Sequence, residues 1–146
     1  MERSKVAILG GGSWGTTTAS IISRQCDALL WARDGQIVAE INEQRTNQRY
    51  LGDAPLNPKL AATTDIGDAV KDAKAVLIAV PSCHFREVLT SALADLPPGI
   101  PIISLSKGLE KGSRMRMTEI IQEVAPGRIP GVLTGPNLAR EIVAGQ

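Results

Sequence analysis

The chain has 146 residues, of which 43% are hydrophobic and 21% charged, and 16 Lys and Arg side chains stand against 15 Asp and Glu. This length suits one domain with a substantial core, and the near-zero charge balance argues against nucleic acid or an anionic membrane as a partner. The apolar runs are too short to span a membrane, no signal-peptide pattern is present, and Cys26 and Cys83 lack metal-site or disulfide-framework spacing, so a cytoplasmic protein with reduced thiols is expected.

The first apolar run of the chain, residues 6–9, leads directly into a G-x-G-x-x-G pattern. Its glycines are Gly10, Gly12 and Gly15. Gly10 would form the tight turn, Gly12 would let a pyrophosphate approach the backbone, and Gly15 would let a helix lie close to the sheet. A glycine triplet also occurs in ordinary turns, but its place between a strand and a helix near the start of the chain favours a dinucleotide-binding loop.

Residues 14–25 have helical character, and the apolar run 28–31 is predicted to form the second parallel strand of a βαβ unit. Arg33 and Asp34 follow this run. In dinucleotide-binding folds an acidic residue at this point bonds the ribose 2′-hydroxyl of NAD, whereas an arginine accommodates the 2′-phosphate of NADP. Arg33 therefore predicts a site that tolerates NADPH, and the alternative is a solvated Arg-Asp pair at a helix start.

Helices and strands continue to alternate along the chain, which predicts one doubly wound, mostly parallel Rossmann-type α/β domain over residues 1–146. The strongest strand is the all-apolar run 75–80, which Pro81 ends. Asp65 and Ser82 are well placed to cap the helices that follow them. The other predicted strands are 60–64, 100–105 and 129–134, and the other predicted helices are 36–44, 66–71, 82–93, 115–124 and one from Leu138, with residues 45–55 outside the sheet.

Lys107 comes two residues after the predicted strand 100–105. Because ligands of an open α/β sheet bind outside the carboxyl ends of its strands, Lys107 is expected to share one edge with residues 10–15 and with Arg33. It is the better candidate for binding an anion, and the alternative is a solvated loop lysine. The single histidine, His84, is expected to be structural or exposed rather than catalytic, and no metal site is expected because no carboxylates have metal-ligand spacing.

Six stretches of the sequence, taken together, are more selective than a glycine triplet alone. They are residues 10–16 (GGGSWGT), residues 30–33 (LWAR), Asn47 with Tyr50 and Leu51, residues 79–82 (AVPS), residues 106–110 (SKGLE) and residues 135–139 (GPNLA). In this order they resemble the N-terminal domain of the bacterial type of NAD(P)-dependent glycerol-3-phosphate dehydrogenase. The resemblance extends over nearly the whole chain.

The resemblance implies the cofactor-binding domain of an oxidoreductase, with a helical C-terminal domain outside this chain. It implies reversible reduction of dihydroxyacetone phosphate to sn-glycerol 3-phosphate with NADH or NADPH, feeding glycerophospholipid synthesis. A homodimer is the candidate assembly of the full-length enzyme. No catalytic residue is implied within this chain, so the isolated chain is expected to bind cofactor without turning over substrate.

The resemblance also implies contacts at individual positions. Lys107 would touch both cofactor and substrate. Asn137 falls on a substrate-contacting position where the family usually has Ser or Thr, and its amide still offers donors and an acceptor. The other implied contacts are Ser13, Trp14, Arg33 and Ala139 to the cofactor and Gly135 to the substrate.

Two other functions remain open from the sequence. A ketopantoate reductase or another β-hydroxyacid dehydrogenase would share the glycine loop but would not be expected to have the Lys107-Gly-Leu-Glu110 stretch. A non-catalytic module that senses NAD(H) and regulates a partner would also use this fold. A DNA-binding or other interaction segment after Gln146 would favour the sensor, and a helical domain there would favour the enzyme.

Overall fold

Strands and helices alternate along the part of the chain that the computed structural model describes, residues 3–134. The strands are β1 (Lys5–Leu9), β2 (Asp27–Trp31), β3 (Ala61–Thr63), β4 (Ala75–Ile78), β5 (Pro101–Ser104) and β6 (Ile129–Val132). The helices are α1 (Ser13–Ile22), α2 (Gly35–Gln44), α3 (Gln48–Leu51), α4 (Ile66–Val70), α5 (Ser82–Ala92) and α6 (Met117–Val124), with a 3₁₀ turn at Leu93–Asp95.

The strands form one sheet in the order β3-β2-β1-β4-β5-β6, and every neighbouring pair is parallel. Leu9 at the end of β1 lies opposite Trp31 of β2 on one side and Ile78 of β4 on the other. The strand order reverses between β1 and β4, and the connections that leave these two strands diverge and open a crevice at the carboxyl edge. This order confirms the predicted doubly wound Rossmann-type fold.

Helices cover the sheet on both faces because successive strand residues point to opposite sides. On one face α1, α2 and α3 pack with the strands around Ile8 and Leu30, and both side chains are fully buried. On the other face α4, α5 and α6 pack around Ile78, Ile102 and Phe85, which are also fully buried. Each such side chain contributes about 1.5–3 kcal/mol of burial free energy, so the two clusters fix the sheet that carries the crevice.

The outward backbone groups of the two outer strands, β3 and β6, are reduced in number in two different ways. On the outer side of β3, Oδ1 of Asn42 accepts from the Ala62 N–H at 2.9 Å and Nδ2 donates to the Ala62 carbonyl at 3.0 Å. In β6 the odd-numbered residues face β5, as the N–H bonds of Ile129 and Leu133 show. The backbone groups of Pro130 and Val132 therefore point away from the sheet.

The predicted elements within the described residues are confirmed with ends that shift by a few residues, and the predicted cap of α5 needs correction. The segment 45–55 lies outside the sheet, as predicted, and contains α3, which is too short and too polar to show a helical period. Ser82 is the first residue of α5 rather than its cap, because Pro81 holds the N-cap position and no side chain caps the helix. Helix α1 ends at Ile22, earlier than predicted, in a turn closed by the Cys26 N–H on the Ile22 carbonyl.

Two further features concern the helix lengths and the cysteines. No helix within residues 3–134 has the length and apolar character needed to cross a bilayer. Cys26 is half-buried, Cys83 is exposed, and both thiols are free, as their spacing predicts. The predicted helix from Leu138 lies outside the described residues.

Candidate functional site

A cavity of about 940 Å³ opens at the carboxyl edge of the sheet, where the strand order reverses. Its volume is typical of small-molecule and cofactor sites. The segments that follow β1, β2, β4 and β5 line it, with residues 10–14, 31–34, 79–81 and 105–107. The structure therefore brings the glycine loop, Arg33 and Lys107 to one edge of the sheet.

The three predicted glycines of the loop each have a different environment. Gly10 has a φ of +127°, and a Cβ there would lie 2.6 Å from the Ala79 carbonyl oxygen, so the turn out of β1 requires glycine. A Cβ on Gly15 would lie 2.1 Å from the Gly10 carbonyl oxygen, and Gly15 is buried below the loop rather than lining the cavity. A Cβ on Gly12 meets no atom of the described residues within 4 Å. Gly12 therefore leaves open space on the cavity side, where a ligand would come close to the backbone.

Helix α1 begins at this cavity without a side-chain cap, since Gly12 occupies its N-cap position. Helices α2 and α4 differ, because Oδ1 of Asp34 accepts from the Gln36 N–H at 2.8 Å and Oδ1 of Asp65 accepts from the Asp68 N–H at 3.1 Å. The first-turn N–H groups of α1 thus lack the capping oxygen that α2 and α4 have. Free N–H groups and the positive end of the helix dipole make this point suitable for an anion.

The end of the cavity near β2 carries two arginines. Nη2 of Arg33 lies 3.5 Å from Oε1 of Glu87. Nη1 of Arg49, a residue of α3, lies 3.8 Å from Oδ2 of Asp34, and its guanidinium carbon lies 5.4 Å from the centre of the Tyr50 ring. The arginine side chains are 66% and 68% exposed, so these long ion pairs are weak, and both guanidinium groups can exchange partners for an anion in the cavity.

Asn47 joins the segment that carries Arg49 to the glycine loop. It is fully buried, and its Nδ2 donates to the Gly11 carbonyl and to Oγ1 of Thr16, both at 3.0 Å. Its Oδ1 is buried without a partner among the described residues. Asn47 and Tyr50 belong to the stretches that resemble a family, but no sequence pattern gives them a role or points to Arg49, because hydrogen bonds between segments 36 residues apart leave no local pattern.

The loop after β5 carries Lys107 to the cavity and is fixed on both sides of that residue. Before it, the Ser106 hydroxyl donates to the Val80 carbonyl, two residues beyond the end of β4. After it, the carboxylate of Glu110 accepts from Nε and Nη2 of Arg86 on α5, at 2.8 and 3.0 Å. The position of Lys107 therefore depends on contacts of its loop with the segment that follows β4 and with α5.

The Arg86–Glu110 pair keeps both groups charged. Hydrogen bonds from Arg86 and then from Ser113 lower the pKa of Glu110 to about 2. Hydrogen bonds to Glu110 and then to Glu123 raise the pKa of Arg86 above its ordinary value. The ion pair thus persists throughout the neutral and mildly acidic range.

A Glu110→Gln substitution is expected to lower the melting temperature by a few degrees at neutral pH, because it removes the charge from a bidentate pair. The pKa of Glu110 is about 2 in the folded chain against an ordinary 4.5. The stabilisation of the fold by this carboxylate is therefore fully present above pH 4.5 and is lost as the pH falls towards 2. Thermal unfolding of both proteins from neutral pH down to about pH 3 should show the difference shrinking. Glu87→Gln, which removes an exposed carboxylate, is the control and should change little. A pH-independent difference between the wild type and Glu110→Gln would contradict the assignment.

The predicted site residues fall into three groups. Gly15 supports the loop from below, and Gly135, Asn137 and Ala139 lie outside the described residues. His84 is half-exposed, as expected, and also lines the cavity, with Nδ1 4.0 Å from Oε2 of a glutamate one turn along α5. The predicted residues that line the cavity are Gly10, Gly12, Ser13, Trp14, Arg33 and Lys107.

Comparison with known families gives this cavity its context. The family described as NAD-dependent glycerol-3-phosphate dehydrogenase N-terminus matches residues 5–146. The chain belongs to this family. The match confirms the resemblance seen in the six stretches and favours glycerol-3-phosphate dehydrogenases over ketopantoate reductases and other β-hydroxyacid dehydrogenases.

Individual glycerol-3-phosphate dehydrogenases are similar over almost the entire chain. It is 53% identical over 144 residues to glycerol-3-phosphate dehydrogenase (NAD(P)+) 2 of Sphingopyxis alaskensis and 49% identical over 146 residues to the glycerol-3-phosphate dehydrogenase (NAD(P)+) of Mycobacterium avium. Each match covers 99% of this chain and 43% of the relative. A crystal structure of the glycerol-3-phosphate dehydrogenase from Coxiella burnetii is 34% identical, with a TM-score of 0.89 over 97% of this chain and 44% of that one. The chain thus spans less than half the length of these relatives.

The glycerol-3-phosphate dehydrogenase stretches lie mostly around the cavity. Residues 10–14 of the glycine loop, residues 31–33, residues 79–81 and residues 106–107 contribute to its lining, and Tyr50 does so from α3. The stretch that follows position 134 is outside the described residues. The resemblance found in the sequence therefore concentrates at one edge of the sheet.

Proposed function

We propose that this chain is the NAD(P)H-binding domain of an enzyme that interconverts dihydroxyacetone phosphate and sn-glycerol 3-phosphate in the cytoplasm. The observation that carries the proposal is the open approach to the uncapped start of α1 at Gly12, within a cavity at the topological switch point of the sheet. Family membership supports this cofactor and substrate class. The homodimer that the resemblance implies is part of the proposal for the full-length enzyme.

The residues present fit a dinucleotide. The N–H groups of Ser13 and Trp14 in the first turn of α1 would bind the pyrophosphate, and Gly12 leaves room for it beside the backbone. Arg33 would hold the adenosine end. Apolar residues after β4 and β5, such as Val80 and Leu105, would keep water from the other end of the cavity.

Lys107 is the residue that we assign to both cofactor and substrate. It lies beyond the carboxyl end of β5, in a loop that Ser106 fixes to Val80 and Glu110 fixes to Arg86. Its ammonium would bind a phosphate as a point charge. When bound, the nicotinamide supplies the hydride chemistry. Gly135 and Asn137 complete the proposed substrate contacts within this chain, and Ala139 the proposed cofactor contacts.

Binding of NADH to the 146-residue chain tests the proposal. The chain has two tryptophans, Trp14 and Trp31, and both line the cavity, so bound NADH is expected to quench most of the tryptophan emission. Fluorescence titration and calorimetry should give the same dissociation constant for NADH, with a second titration for NADPH. The absence of binding of either dinucleotide at about 1 mM, equivalent to a binding free energy weaker than about −4 kcal/mol, would refute the proposed function.

A further inference from the structure

Two arginines from separate parts of the chain converge on the β2 end of the cavity. Arg33 comes two residues after the end of β2, whereas Arg49 belongs to α3, sixteen positions further along. Both line the cavity, and neither makes a close ion pair, since their nearest carboxylate oxygens in Glu87 and Asp34 lie 3.5 and 3.8 Å away. Two available guanidinium groups at one end of a cavity are suited to a doubly charged anion.

The hydrogen bonds of Asn47 set the position of Arg49 relative to the glycine loop. Asn47 immediately precedes α3, and its amide bonds the Gly11 carbonyl at 3.0 Å. Leu51 at the other end of α3 is 2% exposed and packs in the core beneath. Because both ends of this short helix are anchored, Arg49 lies at a defined place beside the loop that would hold the pyrophosphate.

We propose that Arg49 is a second determinant of NADPH recognition, forming with Arg33 a two-arginine site for the 2′-phosphate. The inference rests on the proposed function, because it takes the dinucleotide to lie with its pyrophosphate at α1. The adenosine ribose then lies at the end of β2, where Arg33 and Arg49 line the cavity. The phosphate of the substrate is assigned to Lys107 at the end of β5, so the two anions have separate sites.

Two carboxylates balance the arginines when no phosphate is present. Asp34 faces Arg49 and also caps α2 through its other oxygen, while Glu87 faces Arg33 from α5. These four side chains sum to zero charge, and a phosphate monoester adds a charge of about −1.5 to −2. Binding of the 2′-phosphate must therefore draw the guanidinium groups from the carboxylates, which oppose it by repulsion. Removing either carboxylate should strengthen NADPH binding.

The test compares NADPH and NADH affinities of single variants of the 146-residue chain by calorimetry. Arg49→Ala is expected to lower the affinity for NADPH roughly ten- to a hundred-fold, the loss expected for a charge-assisted contact. The affinity for NADH should change little. Arg49→Lys keeps the charge without the planar fork and should restore part of the NADPH affinity. Asp34→Asn, which preserves a good N-cap residue for α2, should raise NADPH affinity several-fold.

Two controls separate this role from a general effect. Arg24→Ala removes an exposed cation beyond the far end of α1 and should leave both affinities unchanged. Added salt should lower the affinity for NADPH more than the affinity for NADH in the wild type, and this difference should be smaller in Arg49→Ala. Melting temperatures show whether any variant has lost its fold, and in that case the Asp34→Asn result decides.

Each outcome has a definite consequence. A selective NADPH loss in Arg49→Ala with a gain in Asp34→Asn supports the two-arginine site. Equal losses of NADH and NADPH in Arg49→Ala, or no loss of either, overturn it while leaving the proposed function intact, since the wild type still binds cofactor. A wild type that binds neither dinucleotide overturns both.

Discussion

A Gly12→Asp substitution is expected to leave the fold as stable as the wild type, or slightly more stable, and to lower NADH and NADPH affinity at least a hundred-fold. A Cβ at Gly12 meets no described atom within 4 Å, and the backbone there is extended with a φ of −79°. An aspartate at an N-cap bonds the first-turn N–H groups and stabilises the helix by a few tenths of a kcal/mol relative to glycine. The same carboxylate would occupy and repel the pyrophosphate site, and a hundred-fold loss corresponds to about 2.7 kcal/mol.

Two other glycines provide matched controls for Gly12→Asp. Gly15→Ala should affect the stability of the fold rather than the cofactor contact, because its Cβ would overlap the Gly10 carbonyl and destabilise the fold by about 1–3 kcal/mol. Gly35→Ala adds a methyl group whose nearest contact is Thr64 at 4.0 Å and should alter neither property. Calorimetric titration and thermal unfolding of the three variants measure both quantities. Unchanged NADH affinity in Gly12→Asp would remove the start of α1 from the cofactor site.

The polypeptide 1–146 is expected to oxidise sn-glycerol 3-phosphate at least roughly 10⁴-fold more slowly than the full-length enzyme, although it binds cofactor. Among the described residues that line the cavity, Lys107 and His84 are the side chains best suited to transfer a proton. Lys107 is assigned to the phosphate and cannot also relay the proton. His84 is half-exposed and is paired only weakly with Glu87 at 4.0 Å. We propose that the proton-transferring group and most of the substrate-phosphate site belong to the part of the enzyme that this chain does not include.

Measurement of kcat for purified 1–146 protein and for the full-length enzyme, with the same cofactor, checks this expectation. Lys107→Met and His84→Asn in both proteins assign any residual rate. A kcat for 1–146 close to that of the full-length enzyme would contradict the proposal, and loss of that rate in one of the two variants would identify the catalytic group.

Much of the fold can be predicted from the sequence because its signals are local. The apolar run 75–80 and the glycine spacing after residues 6–9 need no knowledge of distant residues, and both elements are found where predicted. The ends of the elements are less predictable. Helix α1 stops at Ile22 because a turn toward β2 is closed by backbone hydrogen bonds, and residues up to 25 have no sequence feature that excludes helix.

The candidate site is predictable only where its residues follow strand ends. Arg33 and Lys107 each come two residues after an apolar run, and the topology of a parallel sheet then places them on one edge. Arg49 comes from a segment outside the sheet, and a hydrogen bond from Asn47 to Gly11 brings it to the cavity. The ion pair between Arg86 and Glu110 likewise joins α5 to the loop after β5, and no spacing rule relates such positions.

The outward N–H groups of the outer strands β3 and β6 bear on association between molecules. A further strand can extend a sheet only where outward N–H and C=O groups are unpaired. At β3 both groups of Ala62 are bonded to the side-chain amide of Asn42, and in β6 Pro130 has no N–H, so Val132 is the outward donor of that strand. Within residues 3–134 neither edge offers a row of free N–H donors, so the backbone of these two edges is a poor template for a further strand.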